Sequence, residues 1–129
     1  MTTPQVVLYI LVAVIVLLYV RRRLTLRGMK QYSPHQVADL MKQAGRAVLL
    51  DVRTTAERKR QMIKGSIHIP LHELVRRSGE LEKHKNREIV CYCQSGNRSL
   101  SAAAKLRNSG FTVANMKGGI AEWNSSGLR

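Results

Sequence analysis

Apolar residues fill every position from Val6 to Val20 apart from the hydroxyls of Tyr9 and Tyr19. A run with no polar face suits a helix surrounded by lipid rather than one half-buried in a soluble core. Nothing from Met1 to Val20 carries a side-chain charge. At ~1.5 Å per residue that stretch covers about 30 Å, a bilayer core. Arg21, Arg22 and Arg23 follow at once, placed to snorkel to an interface. A cleaved signal peptide has the opposite polarity: charge first, then a small-residue cleavage site. The expected reading is an uncleaved anchor over residues 1–23, with residues 4–23 contacting the membrane. Residues 24–30 then form a basic juxtamembrane linker. The arginine cluster orients such an anchor with its N-terminus outside and the rest cytoplasmic, here at a bacterial inner membrane.

Beyond residue 30 the pattern changes to short elements. Ser33-Pro34 reads as an N-cap and first helical residue, and Val37, Leu40, Met41 and Ala44 recur at helical spacing up to Gly45. Ala47–Val52, Ser66–Pro70, Glu88–Cys93 and Phe111–Met116 are short apolar runs of the kind found in strands covered on both faces. Helical stretches are expected between them: Ala56–Met62 capped by Thr54 or Thr55, an interrupted one over Leu71–Leu81, and Ser99–Asn108. Ile120–Asn124 follows the Gly118-Gly119 turn. Alternating strands and helices predict an α/β domain over residues 31–129, built on an open parallel sheet with helices on both faces.

Charge narrows the partners. Lys and Arg total 22 against 8 Asp and Glu, a net charge of +14. That balance favours anions, whether lipid headgroups or small solutes. No basic run is interleaved with aromatics, which argues against a nucleic-acid platform. The two cysteines, Cys91 and Cys93, are too few for a disulfide framework and wrongly spaced for zinc. No metal or organic cofactor is called for. Reduced thiols agree with a cytoplasmic domain.

Cys93 carries the chemistry. It ends a strand-like run and opens the polar loop Gln94-Ser95-Gly96-Asn97-Arg98-Ser99, behind which a helix begins. In an open parallel sheet, ligands bind beyond the carboxyl ends of the strands. Loop N–H groups and a helix N-terminus there bind anions and stabilise a thiolate. Cys91, inside the strand, reads as a small core residue.

Three blocks of this chain resemble the rhodanese family of sulfurtransferases. The first is Asp51-Val52-Arg53 with Glu57, then Gly65-Ser66-Ile67 and Ile69-Pro70-Leu71. The second is Val90 to Ser99. The third is Lys117-Gly-Gly-Ile-Ala-Glu-Trp123 with Gly127-Leu128. The resemblance implies a single-domain, membrane-anchored rhodanese whose six-residue active loop runs from Cys93 to Arg98. It implies that Cys93 accepts sulfane sulfur as a persulfide from a donor such as thiosulfate. The sulfur then passes to a small thiol, a protein or cyanide. Gln94 stands where the family often has a basic residue. Arg58 replaces a frequent aromatic, and Gln61-Met62 a frequent Gly-His pair.

Supporting roles are expected for Asp51, Arg53 and Glu57. Arg98 either meets an anion directly or pairs with Asp51 or Glu57, and bracing of the loop is the favoured role. Ser95 and Ser99 can donate to sulfur or cap the helix, with capping favoured for Ser99. His68 and His72 are read as surface or packed residues, and Trp123 as a core anchor. An alternative function is a persulfide carrier or docking module with little turnover. Phosphate or arsenate chemistry is disfavoured, because related phosphatases have a loop one residue longer.

Overall fold

The computed structural model describes residues 1–128. Helix α1 runs from Thr3 to Leu26, and its most apolar 18-residue window has a mean hydropathy of 2.4. None of its residues is buried. Its length and composition allow it to cross a bilayer, and an N-terminal signal sequence shares both properties. The helix extends three residues past Arg23, into the stretch expected as linker.

Five parallel strands follow, in the order β1-β5-β4-β2-β3. They are β1 (Gln31–Tyr32), β2 (Ala47–Asp51), β3 (Ile67–His68), β4 (Glu88–Tyr92) and β5 (Thr112–Met116). Strand β1 was not expected: two residues carry no periodicity, and it exists only by pairing with Asn115 and Met116. Strand β3 is likewise shorter than the run Ser66–Pro70 suggested, pairing with β2 through Ile67 and His68 alone.

The helices are α2 (Pro34–Met41), α3 (Thr55–Arg60), α4 (Leu74–Arg77), α5 (Asn97–Asn108) and α6 (Gly119–Ser125). Ser33 caps α2, accepting from the Gln36 N–H while the Gln36 amide accepts from the Ser33 N–H. Thr54 caps α3 in the same way with Glu57. Helix α2 ends at Met41, short of Gly45. The interrupted stretch after Leu71 resolves into α4 between two 3₁₀ segments, Leu71–Glu73 and Ser78–His84.

Strand alternation divides the core. Ile89, Cys91 and Cys93 face the layer holding Leu74, Ala102, Ala103 and Leu106 of α4 and α5. Val90 and Tyr92 face Val37, Ile120 and Trp123 of α2 and α6. Helices therefore cover both faces. Strand β4 lies at the centre, between β2 and β5. Its carboxyl end is held on both sides, which gives Cys93 a rigid mount.

Candidate active site

The loop after β4 turns sharply. Gly96 adopts φ 103°, a left-handed conformation open to glycine, and becomes the N-cap of α5. The helix thus starts at Asn97, two residues before the expected Ser99. The early start changes the role of Ser99. Instead of capping, it is fully buried in the first turn with its hydroxyl 3.4 Å from the Cys93 sulfur. The Gly96 N–H donates to the same sulfur at 3.1 Å.

Cys93 is only 1% exposed. Burial opposes its thiolate, but hydrogen bonds from the Ser99 hydroxyl and the N–H groups of Ser99, Gly96 and Ser95 outweigh it. The thiol is therefore held below its ordinary value. Cys91 faces the opposite outcome: burial, followed by the nearby Cys93, pushes it up to about 12. Of the two sulfurs, Cys93 alone is set up as a nucleophile.

The loop is held from behind by α6. The Ile120 N–H donates to the Cys93 carbonyl at 2.9 Å, and the Ala121 N–H to the Gln94 carbonyl at 3.2 Å. Gly119 makes this approach possible, since a Cβ there would lie 2.5 Å from the Cys93 carbonyl oxygen. The sequence reading placed Gly119 in a turn and gave it no part in the site.

Arg98 braces the loop from the side. Its guanidinium grips Glu57 through two hydrogen bonds of 2.7 and 2.8 Å. Arg98 holds the Glu57 carboxyl down to about 2. Asp51 and Arg53 form a separate, buried pair, with Arg53 donating to both Asp51 carboxylate oxygens at 3.0 and 2.9 Å. Burial works against the Asp51 carboxylate, but Arg53 and Tyr92 more than compensate and hold it below its ordinary range. Arg58 adds a contact of 3.2 Å to Asp51 and also donates to the Ser66 carbonyl. The Tyr92 hydroxyl donates to Asp51 at 2.9 Å. Arg53 further donates to the Gln61 carbonyl, and His68 Nε2 bonds the Arg53 carbonyl at 2.7 Å. This network locks the ends of β2, β3 and β4 together.

Sequence reasoning named Asp51 and Arg53 but missed Arg58, Tyr92 and Ser66 as members. Arg58 carried a signal, since it departs from the family's aromatic and here supplies a cation to the buried carboxylate.

Two clefts flank the Arg98–Glu57 pair. One, of about 410 Å³, is lined by Val52, Thr54, Leu71, His72, Arg98 and Lys105 among others. The second, of about 520 Å³, is lined by Arg53, Glu57, Arg60, Gln61 and Gln94. Gln94, Ser95 and Asn97 are exposed. A small anion approaching either cleft meets cationic side chains, and Gln94, the residue after Cys93, lines the second.

Comparisons with known proteins agree with this architecture. A sulfurtransferase of Allochromatium vinosum is 40% identical over 82 residues, covering 63% of this chain and 75% of the relative. A putative sulfur carrier protein of Bacillus subtilis, YrkF, is 41% identical over 76 residues, covering 58% of this chain but only 40% of that protein. Among solved structures, a rhodanese-related protein from Thermoplasma volcanium superposes with a TM-score of 0.71 at 28% identity, covering 78% of this chain and 95% of that one. The family model for the rhodanese-like domain matches residues 33–126. From β2 through the Cys93 loop to α6, this chain belongs to the rhodanese-like domain family.

Proposed function

We propose that this chain transfers sulfane sulfur through a persulfide on Cys93. One observation carries the reading: N–H and O–H donors converge on a single buried sulfur at the amino end of the twelve-residue helix α5. Family membership and the sulfur-transfer names of the relatives support it.

Thiosulfate fits as donor. The Cys93 thiolate attacks the outer sulfur, the S–S bond of thiosulfate breaks, and its electron pair leaves with sulfite. Charge is conserved, the thiolate and dianion becoming a persulfide anion and sulfite dianion. The loop donors that stabilise the thiolate are placed to stabilise the persulfide. A nucleophilic acceptor, such as cyanide or a thiolate, then takes the terminal sulfur and restores the Cys93 thiolate. Arg98, occupied by Glu57, holds the loop open for both steps rather than binding the donor.

Intact mass of the full chain after incubation with thiosulfate tests this reading. A single sulfur atom should be gained by the wild type and by Cys91→Ala, and none by Cys93→Ser. Loading of the Cys93→Ser protein would sink the assignment.

A second reading, a persulfide carrier with little turnover, is favoured by Gln94. It removes a cation from the loop, and one relative is itself named a putative sulfur carrier. A fast steady-state rate from thiosulfate to cyanide would exclude it.

The same proposal makes α1 an uncleaved anchor, with its N-terminus outside and the sulfur site in the cytoplasm. The apolar run and the three arginines after it support that placement. Retention of the chain in membranes through an alkaline wash, and protease protection of the domain in spheroplasts, check it.

A further inference from the structure

Helices α1 and α5 are tied together at their carboxyl ends. Arg107 donates to the Arg27 carbonyl at 3.3 Å and to the Thr25 carbonyl. Acceptors at the end of α1 are the groups a helix leaves without internal partners, and a cation satisfies them. Leu26 is half-buried, and Met29 packs against the core cluster containing Ala102 and Leu106. The domain is therefore mounted on α1 rather than hung from a slack tether.

The junction encloses a cleft of about 310 Å³, lined by Arg22, Thr25 and Leu26 of α1 and by Ser101, Lys105 and Asn108 of α5. The three α5 residues share one face of the helix at i, i+4 and i+7. No Asp or Glu occurs from Met1 to Ala38 or within α5. Among the described residues neither Arg22 nor Lys105 makes an ion pair. Two uncompensated cations thus share a cleft with the Ser101 hydroxyl, the Asn108 amide and an apolar wall of Leu26 and Ala104, while the Thr25 hydroxyl donates to the Arg21 carbonyl. A phosphate diester bearing an apolar tail satisfies every part of it, whereas free phosphate leaves the wall of Leu26 unused. Arg22 also follows closely on the apolar run ending at Val20, which puts the cleft at headgroup depth.

We infer that the α1–α5 cleft binds the headgroup of an anionic phospholipid, and that this holds the sulfur site against the bilayer surface; the inference rests on α1 being a membrane anchor. Lys105 links the two functions, because it also lines the cleft beside Arg98 and His72. A lipid phosphate on Lys105 weakens the attraction of that cleft for a donor anion.

The test uses the full chain in nanodiscs of phosphatidylcholine with or without phosphatidylglycerol, followed by native mass spectrometry of the protein released with its retained lipid. Retention of phosphatidylglycerol in preference to phosphatidylcholine is expected. Arg22→Gln and Lys105→Gln should each lower it about fivefold. Lys42→Gln, a cation at the C-cap of α2, should leave it unchanged. The KM for thiosulfate should be higher in the anionic discs. Equal retention of both lipids, or an equal loss in Lys42→Gln, overturns the site. A KM that ignores lipid charge overturns the link through Lys105. Loss of the chain from membranes on an alkaline wash would instead defeat the anchor reading, and so separates the two failures.

Discussion

The Ser99 hydroxyl lies 3.4 Å from the Cys93 sulfur, presented there by the first turn of α5. It is the one side-chain donor among the groups that hold the Cys93 thiol below its ordinary value against the opposing effect of burial. Ser99→Ala removes that donor and leaves the backbone donors in place. Alkylation of Cys93 by iodoacetamide at neutral pH should slow on the order of 5- to 10-fold, as expected for loss of a hydrogen bond to a charged group. Its pH profile should move to higher pH. An unmoved profile would show that the N–H groups suffice.

Arg98 holds the Glu57 carboxyl at about 2, well below its ordinary 4.5. A lowered folded-state value stabilises the fold above the unfolded value and loses that stabilisation as pH falls. The affected window runs from about 4.5 down to about 2. Both side chains are partly exposed, so solvent screening reduces the effect to about 1 kcal/mol. Glu57→Gln should cost that much at neutral pH and flatten this part of the acid limb in urea titrations. It should also loosen the sulfur loop, seen as faster amide exchange at Ser95 and Gly96.

Gly119 has φ 63°, and a Cβ there would meet the Cys93 and Gln94 backbone at 2.5 Å. Gly119→Ala should cost about 2–4 kcal/mol and abolish persulfide loading, because α6 can no longer donate to the loop carbonyls. Gly127 has a similar φ of 76° but open space around it. Gly127→Ala should cost only about 1–2 kcal/mol of backbone strain and leave loading intact. Thermal melts together with intact mass distinguish steric loss at the loop from strain alone.

Asp51 is fully buried and receives hydrogen bonds from Arg53, Arg58 and Tyr92. Asp51→Asn leaves the Arg53 charge buried without its counter-ion. The expected cost is about 3–5 kcal/mol in equilibrium unfolding, the usual penalty for breaking a buried pair from one side. Arg58→Ala, at the more exposed end of the network, should cost less.

Local chemistry made much of this protein legible from sequence. Ser33-Pro34 marks a helix start because a side-chain acceptor and a fixed φ act within a few residues. The runs over β2, β4 and β5 mark central strands because both faces are buried over the last four residues of each. Cys93, at the end of one such run and before a glycine-bearing loop, follows from the same local reading, as does the apolar length of α1. The remaining decisions needed partners brought together by folding. Strand β1 exists through its pairing with β5, far along the chain. Arg98 could have met Asp51, Glu57 or an anion, and the placement of α3 over the loop selected Glu57, 41 residues away. Ser99 faces sulfur because the left-handed turn at Gly96 starts α5 early, and Gly119 matters because α6 abuts the loop. The sequence by itself determined the central strands, most of the helices and which cysteine follows a central strand, since those depend on neighbours along the chain. Tertiary structure alone decided which donors reach that sulfur, because hydrogen bonds are set by distances of a few tenths of an ångström between distant residues.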